Sequence, residues 1–134
     1  MALGLRGDKF TLANSKVMTG EQEINVIHSE QGALASLSGR ISIDSSPALR
    51  DRLLAILHSE PVPPVVVELT DISYMDSSGI ATLIEALKIA RNRKTTLRLS
   101  GLHGRLLHLF EVTGVLSLFG TTSGTSDHSQ SKVF

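Results

Sequence analysis

The stretch from Val65 to Leu87, VVVELTDISYMDSSGIATLIEAL, restricts the possible folds more than any other part of the chain. Its start, Val65-Val66-Val67 through Leu69, is an apolar run rich in β-branched residues, set off by Pro61, Pro63 and Pro64. Such a run fits a buried strand covered on both faces. A polar turn holding Asp71, Tyr74 and Asp76 follows. Ile80, Leu83, Ile84 and Leu87 then fall at i, i+3, i+4 and i+7, one face of a helix. A strand handing over to a helix is the unit of an α/β sheet.

Asp76-Ser77-Ser78-Gly79 sits at that handover, at the first turn of the helix. The first amide N–H groups of a helix lack intrahelical partners, and Ser or Asp side chains cap them. The positive end of the macrodipole also tolerates an added anion. A serine here could be phosphorylated without unfolding its helix. The phosphate would bring roughly −1.5 to −2 charge beside Asp71 and Asp76 and repel a partner that docks on the neutral hydroxyl. From the residues alone, Ser77 and Ser78 are equally readable as caps. Asp76 either caps the helix or orients a hydroxyl, and Gly79 would leave room for a partner's backbone.

The remaining elements surround this unit. Residues 1–21 are expected to form a flexible or loosely packed arm. Ile24 to His28 and Ala33 to Leu37 read as two strands paired antiparallel across the turn Glu30-Gln31-Gly32. Gly39 is expected to end the second. Ser46-Pro47 reads as a helix start, a capping hydroxyl followed by proline at the first helical position. Leu49, Leu53, Ile56 and Leu57 would be that helix's apolar stripe. Thr96 to Ser100 is a further strand. A short helix after Gly101 carries Leu106, Leu107 and Phe110 inward and is capped at Gly114. Val115 to Phe119 reads as a fifth, edge strand. The Gly-, Ser- and Thr-rich residues 121–134 read as a disordered tail. The expected order is β-β-α-β-α-β-α-β: an α/β fold with a mixed sheet of about five strands, the first pair antiparallel and the rest mainly parallel, and three or so helices.

Bulk properties exclude several chemistries. The 13 Lys+Arg balance 13 Asp+Glu, which argues against nucleic-acid binding, where a basic excess is expected. With no cysteine there is neither thiolate catalysis nor a Cys-based zinc site. The five histidines have no metal-ligand spacing, and no nucleotide-binding glycine motif or G-x-S-x-G elbow is present. No cofactor, metal or catalytic residue is expected. No apolar run suffices to span a bilayer, and the expected location is the cytoplasm.

DISYMDSSGIATL resembles the signature of the STAS domain as found in bacterial anti-sigma factor antagonists. SGRISIDSSPALRDRL before it and LRLSGLHGRLLHLFEVTGVLSLF after it resemble the family's flanking segments, so that the likeness covers about residues 22–120. The resemblance implies a non-enzymatic regulator that binds an anti-sigma factor serine kinase and thereby releases a sigma factor. It implies Ser77, the first serine of the run, as the phospho-acceptor, with Ser78 as cap or supporting hydroxyl. The partner surface would comprise Ser42, Asp44, Ser45, Ser46, Tyr74, Asp76, Ser77, Ser78 and Gly79. Some antagonists carry an acid three positions after the glycine matching Gly39. Ser42 stands there in this chain, and Asp44 either takes that role or merely precedes the cap at Ser46. The alternative with the same fold is a STAS subunit of a lipid-transport ATPase or signalling scaffold, indifferent to phosphorylation.

Overall fold

The computed structural model describes residues 15–19 and 22–120. Five strands lie in one sheet in the order β1-β2-β3-β4-β5: Ser15–Thr19, Gln22–Ser29, Gly32–Ile41, Val65–Met75 and Leu97–Ser100. β1 pairs antiparallel with β2, and β2 antiparallel with β3. The pairings β3–β4 and β4–β5 are parallel. Helices α1 (Ser46–Leu57) and α2 (Ser77–Asn92) are the crossovers between the parallel strands. Because both crossovers advance in the same direction across the sheet, right-handedness places them on the same face, where they pack against each other.

The hydrophobic pattern explains this arrangement. Leu49, Leu53, Ile56 and Leu57 of α1 are buried as their spacing demands, and so are Ile80, Leu83 and Leu87 of α2. Val65, Val67 and Leu69 of β4 and Leu97 and Leu99 of β5 lie beneath them, all within a few per cent of complete burial. Gly32, at φ +131, makes the β2–β3 turn, where a Cβ would strike the Pro64 carbonyl.

Four of the expected strands are present, but three segments differ from the sequence reading. Val115 to Phe119 is not an edge strand: α4 (Leu116–Gly120) is a helical turn that buries Phe119. The fifth strand is β1, inside the expected arm, and it satisfies the outer edge of β2. The rest of residues 1–21 and the whole of 121–134 lie outside the described residues. Gly39 does not end β3, either. At φ +92 it sits between two register slips in the β3–β4 ladder, and β3 runs on to Ile41.

Those slips reset the side-chain phase of β4. Its buried positions run 65, 67 and 69 and then 72 and 75, a change from period two that an extra residue in a strand produces. Asp71 and Tyr74 therefore belong to the strand and not to a turn. The strand stays in the sheet as far as Met75 and delivers Asp76 directly onto the start of α2.

Candidate functional site

Asp76 is the N-cap of α2. In extended conformation (φ −99, ψ −173), its Oδ1 accepts from the Ser78 amide at 2.9 Å and the Gly79 amide at 3.4 Å. The Ser78 hydroxyl donates to the same oxygen at 2.6 Å. Oδ2 accepts from the Ile43 amide at 3.1 Å, so a single carboxylate ties the β3–α1 loop to the start of α2. The Ser78 hydroxyl, then the backbone amides, hold Asp76 below the ordinary carboxylate value, and it is ionised at neutral pH.

With Asp76 as cap, the serines separate. Ser78 is half-buried and serves Asp76. Ser77, the first residue of α2, is exposed, and its hydroxyl makes no hydrogen bond among the described residues. The structure thus distinguishes two hydroxyls that the residues alone left equivalent. A phosphate on Ser77 would break no existing bond. It would add charge and bulk beside an ionised Asp76.

The β3–α1 loop forms the other rim. The Ser42 carbonyl accepts from the amides of Ser45 (3.0 Å) and Ser46 (2.7 Å), which folds the loop tightly. Asp44 is exposed, and its amide donates to the Ser42 hydroxyl at 3.3 Å. Tyr74 is exposed, with the Arg40 guanidinium 4.3 Å from its ring centroid.

Three expected surface residues are internal. Ser45 is 2% and Ser46 7% exposed. The Ser45 hydroxyl accepts from the Ser42 amide at 2.9 Å and donates to the Arg40 carbonyl at 3.1 Å, holding the loop from within. Ser45, not Ser46, is the N-cap residue of α1, and its side chain makes no capping bond. Gly79 is also buried: a Cβ there would lie 2.6 Å from Met75 Cγ and 2.8 Å from Ile41 Cγ2. It admits the body of the protein, not a partner. Gly79→Ala would gain about 1 kcal/mol of helix propensity but overpack the core at a cost of roughly 1–3 kcal/mol. A net loss of about 1 kcal/mol is expected in urea denaturation, with the exposed Ser77→Ala nearly neutral.

Two residues of the site went unread in the sequence. Ile43 is 70% exposed at the rim beside Asp76, where sequence pattern marked only the hydroxyls and acids. Gln22, only 3% exposed, donates from Nε2 to the Ser45 carbonyl at 2.6 Å and braces the loop from β2. A polar residue opening a strand gives no signal of such a contact.

A mixed sheet whose strand β4 leads into a capped, serine-bearing helix start is the arrangement of a STAS domain, and the family model described as "Mlab, STAS domain" matches residues 25–119. The chain belongs to the STAS-domain family. Among named relatives, it is 30% identical over 92 residues to the anti-sigma-B factor antagonist of Bacillus subtilis, covering 69% of this chain and 83% of that one. It is 35% identical over 79 residues to the anti-sigma-B factor antagonist of Listeria monocytogenes, covering 59% and 68%. In structure it resembles an anti-sigma factor antagonist from Mycobacterium paratuberculosis (TM-score 0.63, 18% identity, 78% of this chain and 88% of that one). No helix among the described residues is long and apolar enough to cross a membrane.

Proposed function

We propose that this protein is an anti-sigma factor antagonist. In its unmodified form it binds an anti-sigma factor serine kinase and so frees a sigma factor. Phosphorylation of Ser77 ends that binding. The chain is the kinase's substrate and contributes no catalytic group of its own. The observation that carries this reading is the exposed Ser77 hydroxyl at the start of α2, without a hydrogen bond among the described residues, beside a carboxylate that already caps the helix. The names of the relatives point to an anti-sigma factor as the partner; that this partner is a serine kinase is part of the proposal.

The contact surface, in this reading, is Ser77 with Tyr74, Asp76 and Ser78, together with Ser42, Ile43 and Asp44 across the Asp76 bridge. Ser45, Ser46 and Gly79 support it from inside. The exposed Ile43 side chain supplies apolar area at its centre, and the hydroxyls supply polar complementarity.

The test is incubation with a candidate anti-sigma kinase and ATP, followed by mass-spectrometric mapping. Modification of Ser77 alone, abolished in Ser77→Ala, is the expected result. Modification of another residue, or complex formation unaffected by stoichiometric phosphate on Ser77, would overturn the proposal. The second reading keeps the STAS fold and makes the chain a partner subunit of a lipid-transport ATPase or signalling scaffold, not regulated by phosphorylation. That reading expects co-purification with ATPase components and indifference to Ser77→Asp.

A further inference from the structure

β4 is much longer than its neighbour β5. Their ladder covers only Val65–Glu68 against Leu97–Ser100, while β4 continues to Met75. Beyond Glu68 the His103 ring meets the Thr70 carbonyl at 2.9 Å. From Asp71 to Met75 the only strand beside β4, among the described residues, is β3. Among the described residues no strand pairs with the other edge of this segment, and an open edge is a template for another strand.

A groove of about 520 Å³ runs along that edge. One wall is Ile72, Ser73, Tyr74 and Met75. Ile72 and Met75 are buried and Ser73 and Tyr74 exposed, so residues from both sides of the strand line the groove, as they do where a groove follows a strand's edge. The opposite wall is α3 (Gly104–Val112), through Arg105, Leu106, His108, Leu109 and Val112. Those positions form one face of a helix. The lining is largely apolar, includes Arg105, and contains no Asp or Glu residue. Arg105 is exposed and has no ion-pair partner among the described residues. Val112 is 64% exposed at the rim.

We propose that this groove binds an extended, acidic segment of a partner protein, which adds as a strand to the β4 edge between β4 and α3. Strand addition beside a helix takes affinity from main-chain hydrogen bonds and specificity from alternate side chains. Here one set of alternate side chains would meet the apolar floor, and acidic side chains would meet Arg105. The open edge favours a peptide over a small amphiphile, which would leave the main-chain groups of β4 unused. The groove shares Tyr74 with the proposed kinase surface, but Ser77 does not line it and strand addition does not use the Ser77 hydroxyl.

The probe is a fluorescein-labelled peptide of about eight alternating Glu and Val residues, an ordinary strand length. Its counterparts are the Lys/Val peptide and a Glu/Val peptide N-methylated at alternate amides. The Glu/Val peptide is expected to bind the full chain saturably by anisotropy below about 1 mM, with slowed hydrogen exchange at the amides of Asp71–Met75. The Lys/Val peptide should bind about tenfold or more weakly, Arg105→Glu should reverse that preference, and N-methylation should abolish binding. Ser77→Asp should leave all of this unchanged, so failure here and failure of the antagonist reading are told apart. Absence of binding, equal binding of both charges, or binding without protection at Asp71–Met75 would overturn the proposal. So would protection already complete in the free chain: if independent of concentration, it would assign the groove to the chain's own residues, and if dependent on it, to a second copy.

Discussion

Ser77→Asp is expected to weaken the complex with the anti-sigma kinase several hundredfold, while Ser77→Ala binds within a few-fold of the unmodified protein. The asymmetry follows from the geometry. Removing the hydroxyl removes a group that makes no hydrogen bond among the described residues. Adding a carboxylate places a second negative charge next to Asp76, whose ionised form the Ser78 hydroxyl and two helix amides already favour. Helix-end donors that could have neutralised the new charge are thus engaged. A mismatched charge buried at an interface costs about 3–4 kcal/mol, and each 1.4 kcal/mol is a factor of ten. Titration calorimetry of the two variants against the kinase measures the difference. Equal affinities would remove the electrostatic basis of the switch. The fold itself should tolerate either change, because an anion at the first turn of a helix is favourable to that helix.

How much of this was legible in the sequence can be traced residue by residue. The helices α1 and α2 were legible because their apolar residues recur at helical spacing and the core is where that stripe points. β4 was legible only as far as Leu69. Beyond it, the bulges that shift the buried positions to Ile72 and Met75 erase the alternation by which a strand is recognised, and Asp71, Tyr74 and Asp76 read as a polar turn. The same irregularity makes Gly39 look like a strand end. Val115 to Phe119 is apolar and short, a pattern that strand and buried helical turn share, and Gly114 at φ +80 starts a new turn there.

At the site, the motif located the serines but could not rank them. Ranking depends on which side chain caps the helix, and Asp, Ser and Ser are all competent caps. The bond from Asp76 to the Ile43 amide crosses 33 residues of sequence. So too the burial of Ser45, Ser46 and Gly79 is set by what the tertiary fold lays over them, and residue type gives no hint of it.

Phe110→Ala is expected to produce the largest loss of stability of any single substitution outside the central sheet. Phe110 is completely buried and is the one buried residue of α3. Leu106, Leu107 and Leu109 pack against the core only in part. The helix is nine residues long and has no side-chain cap at its start. A helix that short has little stability of its own and is held by the face it buries. Truncating a buried Phe to Ala costs about 3–5 kcal/mol, transfer and cavity together, against a total stability of about 5–15 kcal/mol for a domain. With a urea m value of about 1–3 kcal/mol/M, the unfolding midpoint should fall by roughly 2 M. If the variant does not fold at all, Phe110→Leu, with most of the volume kept, should lose only about 1 kcal/mol. Val112→Ala, two residues on but on the exposed rim of the groove, should stay within about 0.5 kcal/mol of the parent. If the Phe110 and Val112 variants lost equal stability, α3 would not be anchored through Phe110, and the groove it walls would lose its fixed side.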